Sequence, residues 1–179
     1  MMSKNSIALI GFMATGKTII GQKLTNRLGD NYKFIETDQI IIEDAGKSIP
    51  EIFSEDGEIR FREYEITACK KASQLHNVVI SCGGGIVLNK INIDYLKQNS
   101  HIVLLQATAE EIYKRAMKDG QETRPVIDKE DPKAEIKRVL VFRKPFYEAA
   151  AEIIIDTTSR DIEEIVDEII QKTNIRSDI

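Results

Sequence analysis

A three-layer α/β/α fold built on a five-stranded parallel sheet is what this sequence predicts. Two observations carry the prediction. Apolar runs of strand length alternate with stretches of helical period, the pattern of β-α-β units whose sheet is covered on both faces. A glycine-rich loop, Gly11 to Thr18, stands between the first run and the first helix, the context such a loop needs to cradle phosphate. At 179 residues the chain fits one compact domain, and no internal repeat divides it.

The elements follow in order. Ser6 to Ile10 is the first strand. A helix runs from Lys17 to Leu28, with Ile20, Leu24 and Leu28 on one face and Gly29 placed to end it. Tyr32 to Thr37, Asn77 to Cys82, His101 to Gln106 and Glu152 to Asp156 read as the other four strands. Residues 38–75 are too long for one crossover and are expected to form a substrate-binding insertion. It comprises Asp38 to Ala45, Ile49 to Glu55 and a helix from Gly57 to Leu75, where Phe61, Tyr64, Ala68, Ala72 and Leu75 recur at helical spacing. A helix after Thr108 ends near Met117, and the next begins at Asp131-Pro132, where Asp caps and Pro suits the first turn. The polar stretch between them, about 118–131, has no apolar period and is expected to be a lid. A final helix, Arg160 to Lys172, turns Ile162, Ile165, Val166, Ile169 and Ile170 to the core. The core thus comprises 1–37, 76–117 and 132–179.

Composition narrows the partners. The formal charge is −4 and no Lys/Arg-rich block occurs, which argues against nucleic acid, since backbone binding needs clustered cations. Cys69 and Cys82 have neither zinc-ligand spacing nor the density of a disulfide framework, so both are expected to be reduced and buried. Lys4 and the apolar stretch from Ile7 to Ala14 faintly resemble a secretory leader, but the stretch runs straight into the glycine loop and offers no cleavage site. No run reaches the roughly 18 apolar residues that span a bilayer. A cytoplasmic monomer with no membrane partner is the expectation.

The loop reads Gly11-Phe-Met-Ala-Thr-Gly16-Lys17-Thr18, a P-loop. Its glycines let backbone N–H groups close around phosphates, Lys17 reaches the β/γ-phosphates and Thr18 supplies an oxygen to Mg²⁺. Gly11, Ala14, Thr15, Gly16, Lys17, Thr18 and Ile19 are therefore the expected ATP-binding positions. The motif leaves the acceptor open.

Other residues bear on that choice. Asp38, at the carboxyl edge of the second strand, would orient or deprotonate an acceptor hydroxyl, or else cap the following helix. Glu36 would hold a Mg²⁺-bound water, or is an exposed strand-end carboxylate. Gly83, Gly84 and Gly85 remove side chains where another group must come close, or form a flexible turn. Arg143 shares the inward register of Ile136, Val139 and Leu140 and needs an anionic partner, from a substrate or from within the protein. Arg62 borders its own apolar stripe, three residues before Glu65, and either grips a carboxylate or pairs with Glu65. Arg124, in the expected lid, would neutralise charge on the transferring phosphoryl group, or is a solvated loop residue.

These segments together resemble the shikimate kinase family along nearly the whole chain. The pieces are GFMATGKT at 11–18, ETD at 36–38, GKSIPEIF at 46–53, GEIRFREYE at 57–65, SCGGG at 81–85, TRP at 123–125, RKPFY at 143–147 and IDTT at 155–158. The resemblance implies a fold like that of nucleoside monophosphate kinases, with a shikimate-binding insertion and a closing lid. It implies that ATP phosphorylates the shikimate 3-hydroxyl in the route to chorismate and the aromatic amino acids. By the same resemblance Asp38 binds the shikimate hydroxyls and acts as base, Arg62 and Arg143 clamp its carboxylate, and Gly84 and Gly85 add backbone donors. Glu65 holds the site through Arg62 or water, and Arg124 touches the transferred phosphate. Arg115 or Arg160 is implied as the neighbour of adenine. Two departures stand out: Glu36 occupies a place where the family commonly has Asp, and the stretch from Arg115 to Arg124 is longer than usual. The rival readings are a kinase of gluconate or of a nucleoside monophosphate, and a nucleotide sensor without turnover.

Overall fold

A computed structural model describes residues 4–118 and 130–175. Five strands, β1 (Ser6–Ile10), β2 (Lys33–Glu36), β3 (Val78–Ser81), β4 (Ser100–Gln106) and β5 (Ile153–Asp156), pair in the order β2-β3-β1-β4-β5. Every pairing is parallel, with Ile7 of β1 opposite Val79 of β3 and His101 of β4.

Alternate residues of β1 feed two apolar layers, as the two-residue period of a strand requires. Ile7 and Leu9 pack with Leu24, Val103, Val166 and Ile169, joining the sheet to α1 (Lys17–Leu28) and to the last helix. Ala8 and Ile10 pack on the opposite face with Cys69, Ile80, Leu96 and Tyr147. Because β1 has β3 on one side and β4 on the other, the crossovers leave it in opposite directions, and a crevice opens at its carboxyl end. The P-loop begins there, directly after Ile10.

Between β2 and β3 run α2 (Thr37–Ala45), the short α3 (Ile49–Glu51), a π-helical turn over Ile52–Asp56 and α4 (Gly57–Ala72). A capping box opens α3: Ser48 Oγ accepts from the Glu51 N–H while the Glu51 carboxylate accepts from the Ser48 N–H. After β3 come a 3₁₀ turn at Ile86–Leu88, α5 (Lys90–Leu96) and then β4. The chain continues through α6 (Ala109–Lys118), α7 (Pro132–Ala150), β5 and α8 (Ile162–Thr173). The Asp131 side chain caps α7 by accepting from the Ala134 N–H, as expected.

Several boundaries differ from the sequence reading. β2 ends at Glu36, because Thr37 already belongs to α2, and its hydroxyl oxygen accepts from the Gly83 N–H. Asp38 therefore lies in the first turn of α2, with the cap position at Glu36, so the capping reading of Asp38 does not hold. α4 stops at Ala72, leaving Leu75 exposed beyond it. α8 starts at Ile162 behind an Asp161 cap, two residues later than expected. α5 was absent from the sequence reading: its seven residues give too few turns for an apolar period to show. Cys69 and Cys82 are buried free thiols. Among the described residues no helix is long and apolar enough to cross a membrane. Residues 119–129 of the expected lid, Arg124 included, lie outside the described residues.

Candidate active site

The P-loop is a backbone structure that only certain residues permit. Gly11 has φ +143°, and a Cβ there would lie 2.2 Å from the Leu105 carbonyl oxygen of β4. Gly16 has φ +97° and immediately precedes α1, whose first N–H groups face the cleft as an anion site. Thr15 Oγ1 donates to the Phe12 carbonyl at 2.9 Å, and Lys17 Nζ donates to the carbonyls of Gly11 and Phe12 at 2.9 and 2.8 Å. The loop is thereby closed on itself with the ammonium inside its mouth. Gly11→Ala is expected to abolish ATP binding and lower the melting temperature, because its methyl would collide with main-chain oxygen. Calorimetric ATP titration and a thermal melt check both, and wild-type affinity would contradict this account of the loop.

At the cleft's rim Thr18 Oγ1 donates to Glu36 Oε1 at 2.7 Å. The cleft, about 560 Å³, is lined by the P-loop residues Met13 to Ile19 apart from Thr15, by Glu36 and Asp38, and by Ser81 to Gly84.

The glycine turn after β3 lets three side chains converge. A Cβ at Gly83 would lie 2.8 Å from Asp38 Oδ1, one at Gly84 would lie 3.7 Å from Arg143 Nη1, and one at Gly85 would lie 2.9 Å from Arg62 Nη1. The Cβ missing at Gly83 and at Gly85 leaves room for Asp38 and Arg62, whereas one at Gly84 would stand in ordinary contact with Arg143. The two arginines are held differently. Arg62 Nη1 bonds both carboxylate oxygens of Glu65, at 3.2 and 3.1 Å, and its Nη2 reaches Glu58 at 3.1 Å. Arg143 Nη1 donates to the Gly84 carbonyl at 3.2 Å, its guanidinium lies 5.7 Å from the Phe12 ring centre, and among the described residues it makes no ion pair. Arg62 is thus partly neutralised by its own protein, whereas Arg143 presents an unspent charge.

The carboxylates respond to these surroundings. Solvent reaches Asp38 through the open cleft, yet protein crowds its carboxylate closely enough that poor hydration raises its pKa. Lys17 opposes that rise and Glu36 adds to it. Glu65 is 2% exposed, and burial likewise raises its pKa against the pull of Arg62. Burial pushes the Cys82 thiol up to about 12, so it stays neutral and is no nucleophile despite lining the cleft.

The sequence reading missed Asn92 of α5, which is fully buried and whose Nδ2 donates to Glu65 Oε2 at 3.3 Å and to the Ile86 carbonyl at 3.1 Å. An amide beside Ile93 and Leu96 was the available signal, but it needed the helix to be seen first. It also missed Tyr147, four residues beyond Arg143 on α7 and bonded to the Gly84 carbonyl. Arg115 sits against the loop: it donates to the carbonyls of Ala14 and Thr157 at 3.4 and 2.6 Å and pairs with Glu111. Arg160 turns instead toward α8, bonding Glu168 at 2.6 Å and the Asp156 carbonyl at 3.1 Å.

The family model described as shikimate kinase matches residues 13–174. The chain belongs to the shikimate kinase family. The shikimate kinase of Caldanaerobacter subterraneus subsp. tengcongensis is 43% identical over 166 residues, covering 93% of this chain and 94% of that protein. That of Enterococcus faecalis is 43% identical over 167 residues, covering 93% and 97%. A solved structure, shikimate kinase from Acinetobacter baumannii in complex with shikimate, aligns with a TM-score of 0.85 at 29% identity, covering 94% of this chain and 92% of that one. Shikimate kinases are transferases acting on an alcohol with ATP as phosphoryl donor, and the five-stranded parallel sheet with its P-loop is the architecture of the family. Membership separates this chain from kinases of gluconate or nucleoside monophosphates, which the P-loop alone does not do.

Proposed function

We propose that this protein transfers the γ-phosphoryl group of ATP to the 3-hydroxyl of shikimate, giving shikimate 3-phosphate and ADP. The observation that carries the proposal is the glycine turn at 83–85, where Asp38, Arg143 and Arg62 each meet one glycine beside the Lys17 cleft. A carboxylate bearing a neighbouring diol suits that set: two guanidiniums for the acid, a carboxylate for the hydroxyls and a phosphate cradle across from them.

Residues 38–75 are the substrate-binding insertion in this reading, since they supply Asp38, Arg62 and Glu65. Residues 118–131 are the lid that brings Arg124 to the γ-phosphate and excludes water, which limits ATP hydrolysis. Lys17 draws the β/γ-phosphates into the loop, and Arg115 borders the adenine because it touches Ala14 and Thr157. Asp38 orients the 3-hydroxyl and accepts its proton as the new O–P bond forms and the bond to the bridging β–γ oxygen breaks, leaving ADP. No covalent phosphoenzyme is needed.

The residues present fit Mg²⁺. Because Thr18 gives its proton to Glu36, its oxygen keeps its lone pairs for a cation, and the two groups form an all-oxygen donor pair. Mg²⁺ ordinarily keeps waters and phosphate oxygens as most of its ligands, so two protein oxygens suffice. When bound, Mg²⁺ would neutralise charge on the β- and γ-phosphates. The enzyme works as a cytoplasmic monomer in the route to chorismate and has no nucleic-acid or membrane partner. ADP release is expected with shikimate, and far less with gluconate or a nucleoside monophosphate at equal concentration. A coupled assay across that panel decides, and robust turnover of only the latter two rejects the acceptor.

A further inference from the structure

Tyr147 is 4% exposed and sits one turn beyond Arg143 on α7, so the two side chains share a face. Its hydroxyl donates to the Gly84 carbonyl oxygen at 2.6 Å, and Arg143 Nη1 donates to the same oxygen at 3.2 Å. The Gly84–Gly85 peptide is trans, and in a trans plane a carbonyl and the N–H that follows it point in opposite directions. Pinning the Gly84 carbonyl to α7 therefore turns the Gly85 N–H away from α7. Gly85 lies against Arg62, and among the described residues no backbone or side-chain oxygen accepts from its N–H. Two glycines flanking one peptide bond give that plane freedom to rotate, so its orientation has to be imposed from outside.

We infer that Tyr147 is a positioning residue: its hydroxyl locks the Gly84–Gly85 peptide plane, so that the Gly85 N–H stands beside Arg62 as a preset donor to the acceptor's carboxylate. The identity of that carboxylate rests on the shikimate reading above. Burial raises the Tyr147 phenol to about 12, which keeps its hydroxyl a donor at physiological pH.

Tyr147→Phe keeps the ring and its packing and removes only the donor. The expected result is a KM for shikimate about tenfold higher, as for one lost hydrogen bond to a charged group, with kcat and the KM for ATP changed by no more than about twofold. In protein labelled with ¹⁵N-glycine, saturating shikimate should move the Gly85 amide proton downfield in wild type and much less in the variant. A lower melting temperature with an unchanged shikimate KM and an unchanged Gly85 response would overturn the role and leave Tyr147 as packing. So would a raised KM with a wild-type Gly85 response. A wild type that ignores shikimate defeats the acceptor reading instead. The ligand-free Gly85 resonance, compared between wild type and Tyr147→Phe, then tests the peptide lock alone, and identical resonances would overturn it.

Discussion

Asp38→Asn is expected to lower kcat on the order of 10²- to 10⁴-fold, the usual contribution of a positioned general base, while ATP affinity stays close to wild type. The amide keeps the size of the side chain beside Gly83 but cannot take the proton of an attacking hydroxyl. ATP binding depends on the P-loop and Lys17, whose hydrogen bonds to the Gly11 and Phe12 carbonyls the substitution leaves in place. Poor hydration raises the Asp38 pKa, so in wild type kcat/KM should fall on acidification at a higher pH than for an ordinary aspartate. The residual activity of Asp38→Asn should lack that limb. The same shift has a stability consequence. A carboxyl whose folded-state pKa is raised binds its proton more tightly in the folded chain, so its contribution is most favourable in acid and is lost as pH rises through the raised value. Asp38→Asn should therefore melt higher than wild type near neutral pH, with the gap closing in acid. An inactive variant that melts lower at neutral pH would point to damage rather than to a lost base.

The sequence made the P-loop half of the site legible and the half around the glycine turn only in outline. At Gly11 to Thr18 chemistry and local structure coincide, because the spacing that cradles phosphate is also the spacing that turns a strand into a helix. The strands were legible for a similar reason: Ile7 to Ile10 of β1, Val78 to Ile80 of β3 and Ile102 to Leu105 of β4 are buried on both faces and read as apolar runs. Asp38, Arg62 and Arg143 belong to different elements, and only the packing of α2, α4 and α7 around the turn after β3 brings them together. The glycines at 83–85 hinted at close approach without saying by what. Arg62 pairs with Glu65, one of the two readings the sequence allowed, and it also stands at Gly85. Asn92 stayed hidden because a polar residue in a seven-residue helix has no periodic signal around it.

The proposed clamp yields the second large effect, and the two arginines should fail in different ways. Arg143→Ala is expected to weaken shikimate binding by about 2 to 5 kcal/mol, the range for truncating one partner of a charged hydrogen-bonded pair. Folding should hardly notice, because among the described residues no carboxylate depends on Arg143, and its anchors are a carbonyl and a ring face. Arg62→Ala should lose shikimate affinity and also lower the melting temperature. Glu65, 2% exposed, would keep Asn92 as a donor but lose its charge partner, and a buried unpaired carboxylate is costly. Its pKa, already raised by burial, would rise further, so the stability lost in Arg62→Ala should grow as pH increases. Titrating each variant with shikimate and melting each across a pH series separates the two cases. If Arg143→Ala binds shikimate as wild type does, or if Arg62→Ala melts unchanged, the division of labour between a substrate-facing and a protein-paired arginine is wrong.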